Sequence, residues 1–147
     1  MNIKIVAGPP GAGKNTYVNK QFQKGDMIID LDKIYAAISN NDMHEQKDEQ
    51  LLSIALELRE VLYERVRRSR GLKTVWVVAC LPNGRRREML SRRLCDAEVY
   101  VLKPPITTTL ERVSQDKTRI YPKEYAERIV HEWYRDYSPC RKDIVAE

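Results

Sequence analysis

The chain has 147 residues, of which 42% are hydrophobic and 32% are charged. This composition predicts a folded globular protein and excludes a disordered chain or a fibre. The length predicts a single domain over residues 1–147. No run approaches the ~20 apolar positions of a membrane-spanning helix, and the apolar run at the N-terminus is too short for a secretory signal. We therefore expect a cytoplasmic protein without a membrane partner.

The net charge of +5 is distributed unevenly along the chain. Residues 59–93 contain 11 Lys and Arg against 3 Asp and Glu, which is a local excess of +8. This concentration of positive charge predicts a phosphate-rich partner, either a nucleotide or a nucleic acid. The three cysteines are widely spaced and form no CxxC pair. Their spacing argues against a disulfide framework or a zinc site.

Short apolar runs alternate with amphipathic segments along the chain. The first half predicts strands at 3–7 and 27–31, helices at 15–24, 33–38 and 51–70, and a polar loop over 39–50. The second half predicts strands at 74–80 and 98–103, a candidate fifth strand at 143–146, and helices at 85–94, 108–115 and 123–137. The alternation predicts an α/β fold around a parallel sheet of four or five strands.

The predicted helices carry apolar faces that indicate which side packs on the sheet. In the helix at 15–24, Phe22 follows Val18 by one turn, and Thr107 or Thr108 can cap the helix at 108–115. The long helix at 51–70 has an apolar stripe made of Leu51, Ala55, Leu58, Leu62 and Val66.

The connection between the first predicted strand and helix matches the pattern G-x(4)-G-K and runs Gly8-Pro9-Pro10-Gly11-Ala12-Gly13-Lys14-Asn15-Thr16. Glycines let the backbone turn tightly and direct several N–H groups into one concavity. The helix that begins near Lys14 adds its positive dipole end, and Lys14 is placed to reach the β- and γ-phosphates. We expect all nine residues to form a nucleotide-binding loop.

The residue after the lysine departs from the usual pattern. That position normally holds Ser or Thr, whose hydroxyl binds Mg²⁺, and here it holds Asn15. Asn15 can offer an amide oxygen to the metal, directly or through water. The hydroxyl comes one position later, at Thr16, which we expect near the α- or β-phosphate.

Two aspartates end the second predicted strand, in Asp30-Leu31-Asp32. In a parallel α/β sheet, ligands gather at the carboxyl ends of the strands, so both acids are expected near the phosphates. One acid can accept a proton from a substrate hydroxyl, for which we favour Asp32, and Asp30 can hold Mg²⁺ through water. The alternative is that Asp32 caps the helix at 33–38.

These motifs resemble the small P-loop kinases, among them polynucleotide, adenylylsulfate, gluconate and zeta-toxin-like kinases, and small P-loop proteins of bacteriophages. The phosphate loop is similar to that of adenylate kinases. The resemblance implies a nucleoside-kinase-like P-loop NTPase fold of three α/β/α layers that uses ATP and Mg²⁺, with Asp32 as the base. An arginine of the family pattern is replaced by Tyr35, and an acid near the end of the third strand is replaced by Ala79-Cys80-Leu81.

The resemblance also implies a lid whose arginines close over the phosphates. Arg112 and Arg119 occupy the matching region, Arg112 as a nucleotide contact and Arg119 as a catalytic residue, and Arg128 follows on the last helix. A second basic group after the third strand either binds an acceptor phosphate or a nucleic-acid backbone or forms a solvated face; its residues are Arg85, Arg86 and Arg87.

Together, these features predict an ATP-dependent phosphotransferase in which Lys14, Asp32 and Arg119 are catalytic. The expected acceptor group is a hydroxyl or a phosphate, carried by a nucleotide or by a nucleic acid with a free 5′-hydroxyl. The alternative is a nucleotide-binding or ATPase module that acts on nucleic acid without kinase activity, which the departures at Asn15, Tyr35 and Ala79 favour.

Overall fold

Five strands of the computed structural model form one parallel sheet within the residues that it describes, 1–41 and 46–146. The strands are β1 (Asn2–Ala7), β2 (Met27–Asp30), β3 (Thr74–Ala79), β4 (Glu98–Leu102) and β5 (Asp143–Ala146). Their order in the sheet is β2-β3-β1-β4-β5, so β1 is central and β3 is also an interior strand. The α/β fold with a parallel sheet is confirmed, and the candidate strand at 143–146 is its fifth strand.

Helices connect these strands, and the predicted helices are found with shifted ends. They are α1 (Lys14–Asn19), α2 (Leu31–Ser39), α3 (Glu49–Arg67), α4 (Gly84–Arg93), α5 (Ile106–Gln115) and α6 (Lys123–Asp136). No helix in the described part of the chain is long and apolar enough to cross a membrane.

The sheet packs against apolar side chains on both of its faces. Because successive strand residues point to opposite faces, Ile5 and Val77 belong to one core cluster and Val6 and Val78 to another. Tyr63 and Val66 of α3 and Trp133 of α6 join the first cluster, and Val18 of α1 joins the second. The sheet is thus the middle of three layers.

Two local predictions about the helices are wrong. Helix α1 ends at Asn19, where the chain turns away, and Phe22 is 39% exposed instead of packing beside Val18. Helix α5 begins at Ile106 after Pro105, so neither Thr107 nor Thr108 caps it. The turn after Asn19 ends α1 earlier than side-chain periodicity indicates, and α5 begins two residues earlier than predicted, directly after Pro105.

The apolar stripe predicted on the long helix also differs from the buried face of α3. The buried side chains are Ala55, Tyr63 and Val66, whereas Leu58 is 39% exposed. The helix is rotated so that the large ring of Tyr63 faces the sheet, because burying an aromatic ring removes more apolar surface from water than burying Leu58.

The predicted contact of Arg87 with nucleic acid is wrong, because Arg87 is fully buried. Its Nε and Nη2 donate to the two carboxylate oxygens of Asp143 at 3.0 and 2.7 Å. It also donates to the backbone carbonyls of Leu81, Pro82 and Ser138. Arg87 therefore holds β5 against the segment that follows β3. Its neighbours Arg85 and Arg86 are exposed.

Candidate functional site

A cavity of about 730 Å³ lies at the carboxyl ends of β1, β2 and β3. Its walls include the loop after β1, the acids at 30 and 32, the end of β3, and the region from α5 to α6. This is the edge at which ligands bind in parallel α/β sheets. The structure brings Lys14, Asp30, Asp32, Arg112 and Arg119 to one cavity.

The loop after β1 requires glycine at the positions where the sequence has it. Gly11 and Gly13 have φ angles of 80° and 88°, in the left-handed region that other residues rarely adopt. A side chain at Gly11 would place its Cβ 2.5 Å from Cγ2 of Val113, and one at Gly8 would place it 2.6 Å from the carbonyl oxygen of Leu102. The loop is therefore shaped by close contact with β4 and α5.

The side chain of Lys14 folds back across this loop. Its Nζ donates to the carbonyl oxygens of Gly8 and Pro9, at 2.8 Å in both cases. The ammonium group is 3.9 Å from Sγ of Cys80, at the end of β3. Lys14 thus holds a positive charge between the loop and the neighbouring strand.

The side chain of Asn15 holds an oxygen atom that no described residue satisfies. Its side-chain Oδ1 is buried and has no hydrogen-bond partner among the described residues. A buried acceptor left without a partner costs about 1–3 kcal/mol, which a ligand with a positive charge or a donor can recover. The side chain of Thr16, the next residue, is exposed.

The two aspartates after β2 occupy different environments. Asp30 is 5% exposed, and its Oδ1 accepts the backbone N–H of Asp32 at 2.9 Å. Asp30 therefore caps α2, and the alternative in which Asp32 is the cap is wrong. Burial raises the pKa of Asp30, and the nearby charge of Asp32 raises it further. Asp32 lies in the first turn of α2, where Lys47 pairs with it at 2.7 Å.

We expect the free energy of unfolding of the Asp30→Asn variant, measured relative to that of the parent protein, to increase as the pH rises. Because the pKa of Asp30 is raised on folding, its favourable contribution exists below its unfolded pKa of about 4 and is lost as the pH rises through the folded value. Asparagine keeps the helix cap and is never ionised. Urea denaturation midpoints of both proteins at several pH values measure the difference.

Asp26→Asn provides a control of opposite sign for this measurement. The backbone N–H of Gln23 lowers the pKa of Asp26, so its stabilising contribution is present at neutral pH and is lost on acidification. The Asp26 variant should lose stability relative to the parent as the pH rises. A parallel pH dependence in the two variants would contradict the assignment for Asp30.

The arginines of the predicted lid lie in different positions. Arg112 lines the cavity, and its Nη1 donates to the carbonyl oxygen of Ala12 in the phosphate loop at 3.2 Å. Arg119 also lines the cavity, where its Nε lies 3.1 Å from Asp116 and its Nη1 donates to the hydroxyl of Tyr121 at 2.6 Å. Arg128 is exposed and pairs with its helix neighbour Glu132, so it is outside the cavity wall.

Sequence reasoning missed two cations that line the same cavity, Lys47 and Arg59. Lys47 falls in the segment predicted as a polar loop. The position of Arg59 could have been recognised from helical spacing. It lies four residues from both Ala55 and Tyr63, which are buried residues of α3. An arginine on the core-facing side of an amphipathic helix indicates a buried anion or a ligand.

The family model described as "AAA domain" matches residues 3–138. The chain belongs to this AAA domain family. This is a family of P-loop NTPases, which generally bind ATP with Mg²⁺. No curated protein matches this AAA domain chain.

Several solved structures have the fold of this AAA domain. A chain of the Pnkp1/Rnl/Hen1 RNA repair complex is 15% identical with a TM-score of 0.65, and the match covers 92% of this chain but only 44% of that one. The tunicamycin resistance protein of Deinococcus radiodurans is 18% identical with a TM-score of 0.55, over 98% of this chain and 85% of that one.

Shikimate kinase from Acinetobacter baumannii, solved with shikimate, is 19% identical with a TM-score of 0.50. That match covers 95% of this chain and 81% of the kinase. This AAA domain chain thus spans less than half of the RNA-repair chain and most of the shikimate kinase. At these identities the similarity establishes a P-loop kinase-like fold, and the reaction must be argued from the site.

Proposed function

We propose that this protein transfers the γ-phosphoryl group of ATP to a hydroxyl group of a nucleotide or of a nucleic-acid 5′ end. The observation that carries the proposal is the cavity itself, whose wall includes a P-loop lysine, an accessible carboxylate and, from the α5–α6 region, two arginines. Lys14 is on the loop side, Asp32 is on the α2 side, and Arg112 and Arg119 come from the α5–α6 region. Phosphoryl transfer needs this combination of charge stabilisation and a proton acceptor.

On the ATP side, the proposed roles follow from charge and position. The loop from Gly8 to Thr16 holds the phosphates, and Lys14 places its charge over them. Arg112 is next to the loop through its bond to Ala12. Arg119 stabilises the negative charge of the transition state from the lid. Most of the rate enhancement then comes from positioning and from fixed charges in the cavity.

The oxygen donors in the cavity fit a magnesium ion that is shared with the nucleotide. Mg²⁺ is usually held by one or two protein oxygens together with phosphate oxygens and water. Asn15 provides a buried carbonyl oxygen to which none of the described residues donates, and Asp30 provides a buried carboxyl group. When bound, the ion would neutralise charge on the β- and γ-phosphate oxygens.

On the acceptor side, Asp32 is the proposed base. As the acceptor oxygen forms its bond to the γ-phosphorus, its proton moves to the Asp32 carboxylate. The bond between the γ-phosphorus and the bridging oxygen of ADP breaks, and that oxygen keeps the electron pair. About half of the Asp32 side chain is exposed, so an acceptor can reach it.

The proposal is tested by incubating the protein with γ-labelled ATP and a panel of hydroxyl acceptors, including nucleosides, nucleotides and 5′-hydroxyl oligonucleotides. We expect label to move to at least one acceptor and to disappear from the products of the Lys14→Ala variant. Absence of transfer to every acceptor, in a preparation that binds ATP, would overturn the proposal.

A second candidate is a nucleotide-binding or ATPase module that acts on nucleic acid without transferring a phosphoryl group. Two observations favour it: β3 ends at Ala79 and Cys80 with no carboxylate, and Arg85 and Arg86 are exposed. The module predicts DNA binding that weakens steeply with salt, together with no labelled acceptor. A kinase that acts on small acceptors predicts a labelled acceptor and no salt-sensitive binding of DNA.

A further inference from the structure

The connection from α3 to β3 concentrates positive charge at the edge of the sheet opposite the cavity. Five of the nine residues from 65 to 73 are Lys or Arg, and none is Asp or Glu. They lie at the end of α3 and directly before β3, whereas the cavity lies at the carboxyl ends of the strands. No residue of this segment is among the described residues of the cavity wall. All five cations are exposed: Arg65, Arg67, Arg68, Arg70 and Lys73.

A second basic segment lies beside the first. The turn between α1 and β2 contains Lys20 and Lys24, and both are exposed. Nζ of Lys73 donates to the carbonyl oxygen of Lys24 at 3.3 Å, and a Cβ on Gly25 would lie 3.3 Å from Cδ of Lys73. The two segments therefore form one surface. We call this surface the basic edge and define it as residues 20–25 and 65–73.

Carboxylates of the protein neutralise little of the charge of the basic edge. Arg67 pairs with Glu64 at 3.1 Å. Arg68 donates to the backbone carbonyl of Glu64, and Lys73 donates to that of Lys24, so these two bonds involve uncharged acceptors. Among the described residues, no other cation of the basic edge forms an ion pair. Most of its positive charge is therefore available to a ligand.

The dipole of α3 explains only part of this concentration of charge. Cations in the last turn of a helix are stabilised by its negative end, which applies to Arg65 and Arg67. Arg70 and Lys73 lie beyond the end of α3 and gain nothing comparable. Arg65 and Arg68 are three residues apart, a spacing at which like charges repel. A bound polyanion would relieve the repulsion among several of these charges together.

The basic edge also presents an exposed aromatic ring. Phe22 lies between Lys20 and Lys24 in the sequence and is 39% exposed, more than any other aromatic residue in the described ranges. Single-stranded nucleic acids are bound by cations that pair with the backbone phosphates and by aromatic rings on which bases stack. The bases of a duplex are already stacked on one another. Phe22 therefore favours a single strand as the polyanion.

We propose that the basic edge binds single-stranded nucleic acid, DNA or RNA, without sequence preference and at the opposite edge of the sheet from the nucleotide cavity. Its cations pair with the backbone phosphates, and the ring of Phe22 stacks on a base. The proposal does not depend on phosphoryl transfer. It also differs from the contact through Arg85 and Arg86 that the second candidate function uses.

The test is a titration of labelled oligothymidylate of about 20 nucleotides, followed by fluorescence anisotropy at several salt concentrations. We expect the parent protein to bind it at low salt and to lose affinity as the salt concentration rises. The double variant Arg68→Gln and Arg70→Gln should bind more weakly. Its slope of log K against log salt should be shallower by about 1.4, because each phosphate contact with a single strand contributes about 0.7.

Phe22→Ala separates stacking from charge. It should weaken the binding of oligothymidylate by about 5- to 100-fold, the effect of losing one stacked base. Its salt slope should equal that of the parent, because the phosphate contacts are the same. The binding of a duplex of the same length should not change in Phe22→Ala, since a paired base is not free to stack on the ring.

The double variant Arg128→Gln and Arg135→Gln is the matched control. Both arginines are exposed on α6 and pair with acids of the same helix, and the net charge changes by the same amount. This control should keep the affinity and the salt slope of the parent. Saturating ATP should not displace the oligonucleotide, because the cavity lies at the other edge of the sheet. The DNA titration that separates the two candidate functions is then made in the double variant of the basic edge.

The proposal is overturned if the parent does not bind oligothymidylate at low salt, or if the control variant loses as much affinity as the basic-edge variant. Displacement by ATP would place the strand in the cavity and also overturns it. An unchanged affinity in Phe22→Ala rejects the single strand as the ligand. Binding to phosphatidylserine vesicles without binding to the oligonucleotide assigns the basic edge to a membrane surface and rejects the proposal.

Discussion

Replacing Asp32 with asparagine is expected to lower kcat for phosphoryl transfer by about 10²- to 10⁴-fold, the usual contribution of a general base. The amide has nearly the same shape but cannot accept the hydroxyl proton. Asp30 caps α2, so the helix does not depend on Asp32 for its start. The Kd for ATP should therefore stay nearly unchanged.

The measurement is steady-state transfer from labelled ATP to the best acceptor, together with a direct titration of ATP binding. Asp96→Asn is a suitable control, because Asp96 is an exposed carboxylate that pairs with Lys142 and does not line the cavity. An Asp32 variant that retains the parent kcat would reject Asp32 as the base. If the Asp32 variant loses ATP affinity by as large a factor as it loses kcat, Asp32 acts in nucleotide binding and not as the base.

Replacing Arg87 with methionine is expected to reduce the free energy of unfolding by about 3–5 kcal/mol. The side chains of Arg87 and Asp143 are 0% and 8% exposed, so methionine leaves a buried carboxylate without its counter-charge. The three backbone carbonyls that Arg87 satisfies also lose their donor. Urea denaturation at neutral pH measures the loss.

Arg85→Met is the control on the same helix, since Arg85 is exposed and its replacement should change stability by no more than about 0.5 kcal/mol. The double variant Arg87→Met and Asp143→Leu tests the cause. Removing both charges should restore part of the stability, because a buried ion pair is often replaceable by apolar side chains. Equal losses in Arg87→Met and Arg85→Met would show that the buried pair does not stabilise the fold.

The order of strands and helices was predictable because it depends on local periodicity. Buried strands such as 74–80 are apolar on both faces, and even the short strand at 143–146 has a recognisable apolar centre. The ends of helices were less predictable. Whether α1 continues past Asn19 depends on where the chain must turn to reach β2, and no side-chain pattern reports that.

The loop after β1 and the acids after β2 were predictable because motif and topology place them at one sheet edge. The burial of Arg87 was not, since its partner Asp143 is 56 positions away and both lie in polar stretches of the sequence. Lys47 reaches Asp32 through a segment that Tyr35 holds, which is a tertiary contact. Such contacts depend on the packed fold and not on spacing.

The contact of α5 with the phosphate loop affects when the loop can fold during synthesis of the chain. Arg112 bonds to Ala12 across 100 positions of sequence, and Val113 fills the space beside Gly11. During synthesis the loop emerges first, but the helix that shapes it emerges much later. A nucleotide bound to the folded loop, as proposed above, would therefore stabilise only chains that have been completed through α5. Its effect on folding would come late, after most of the chain has been synthesised.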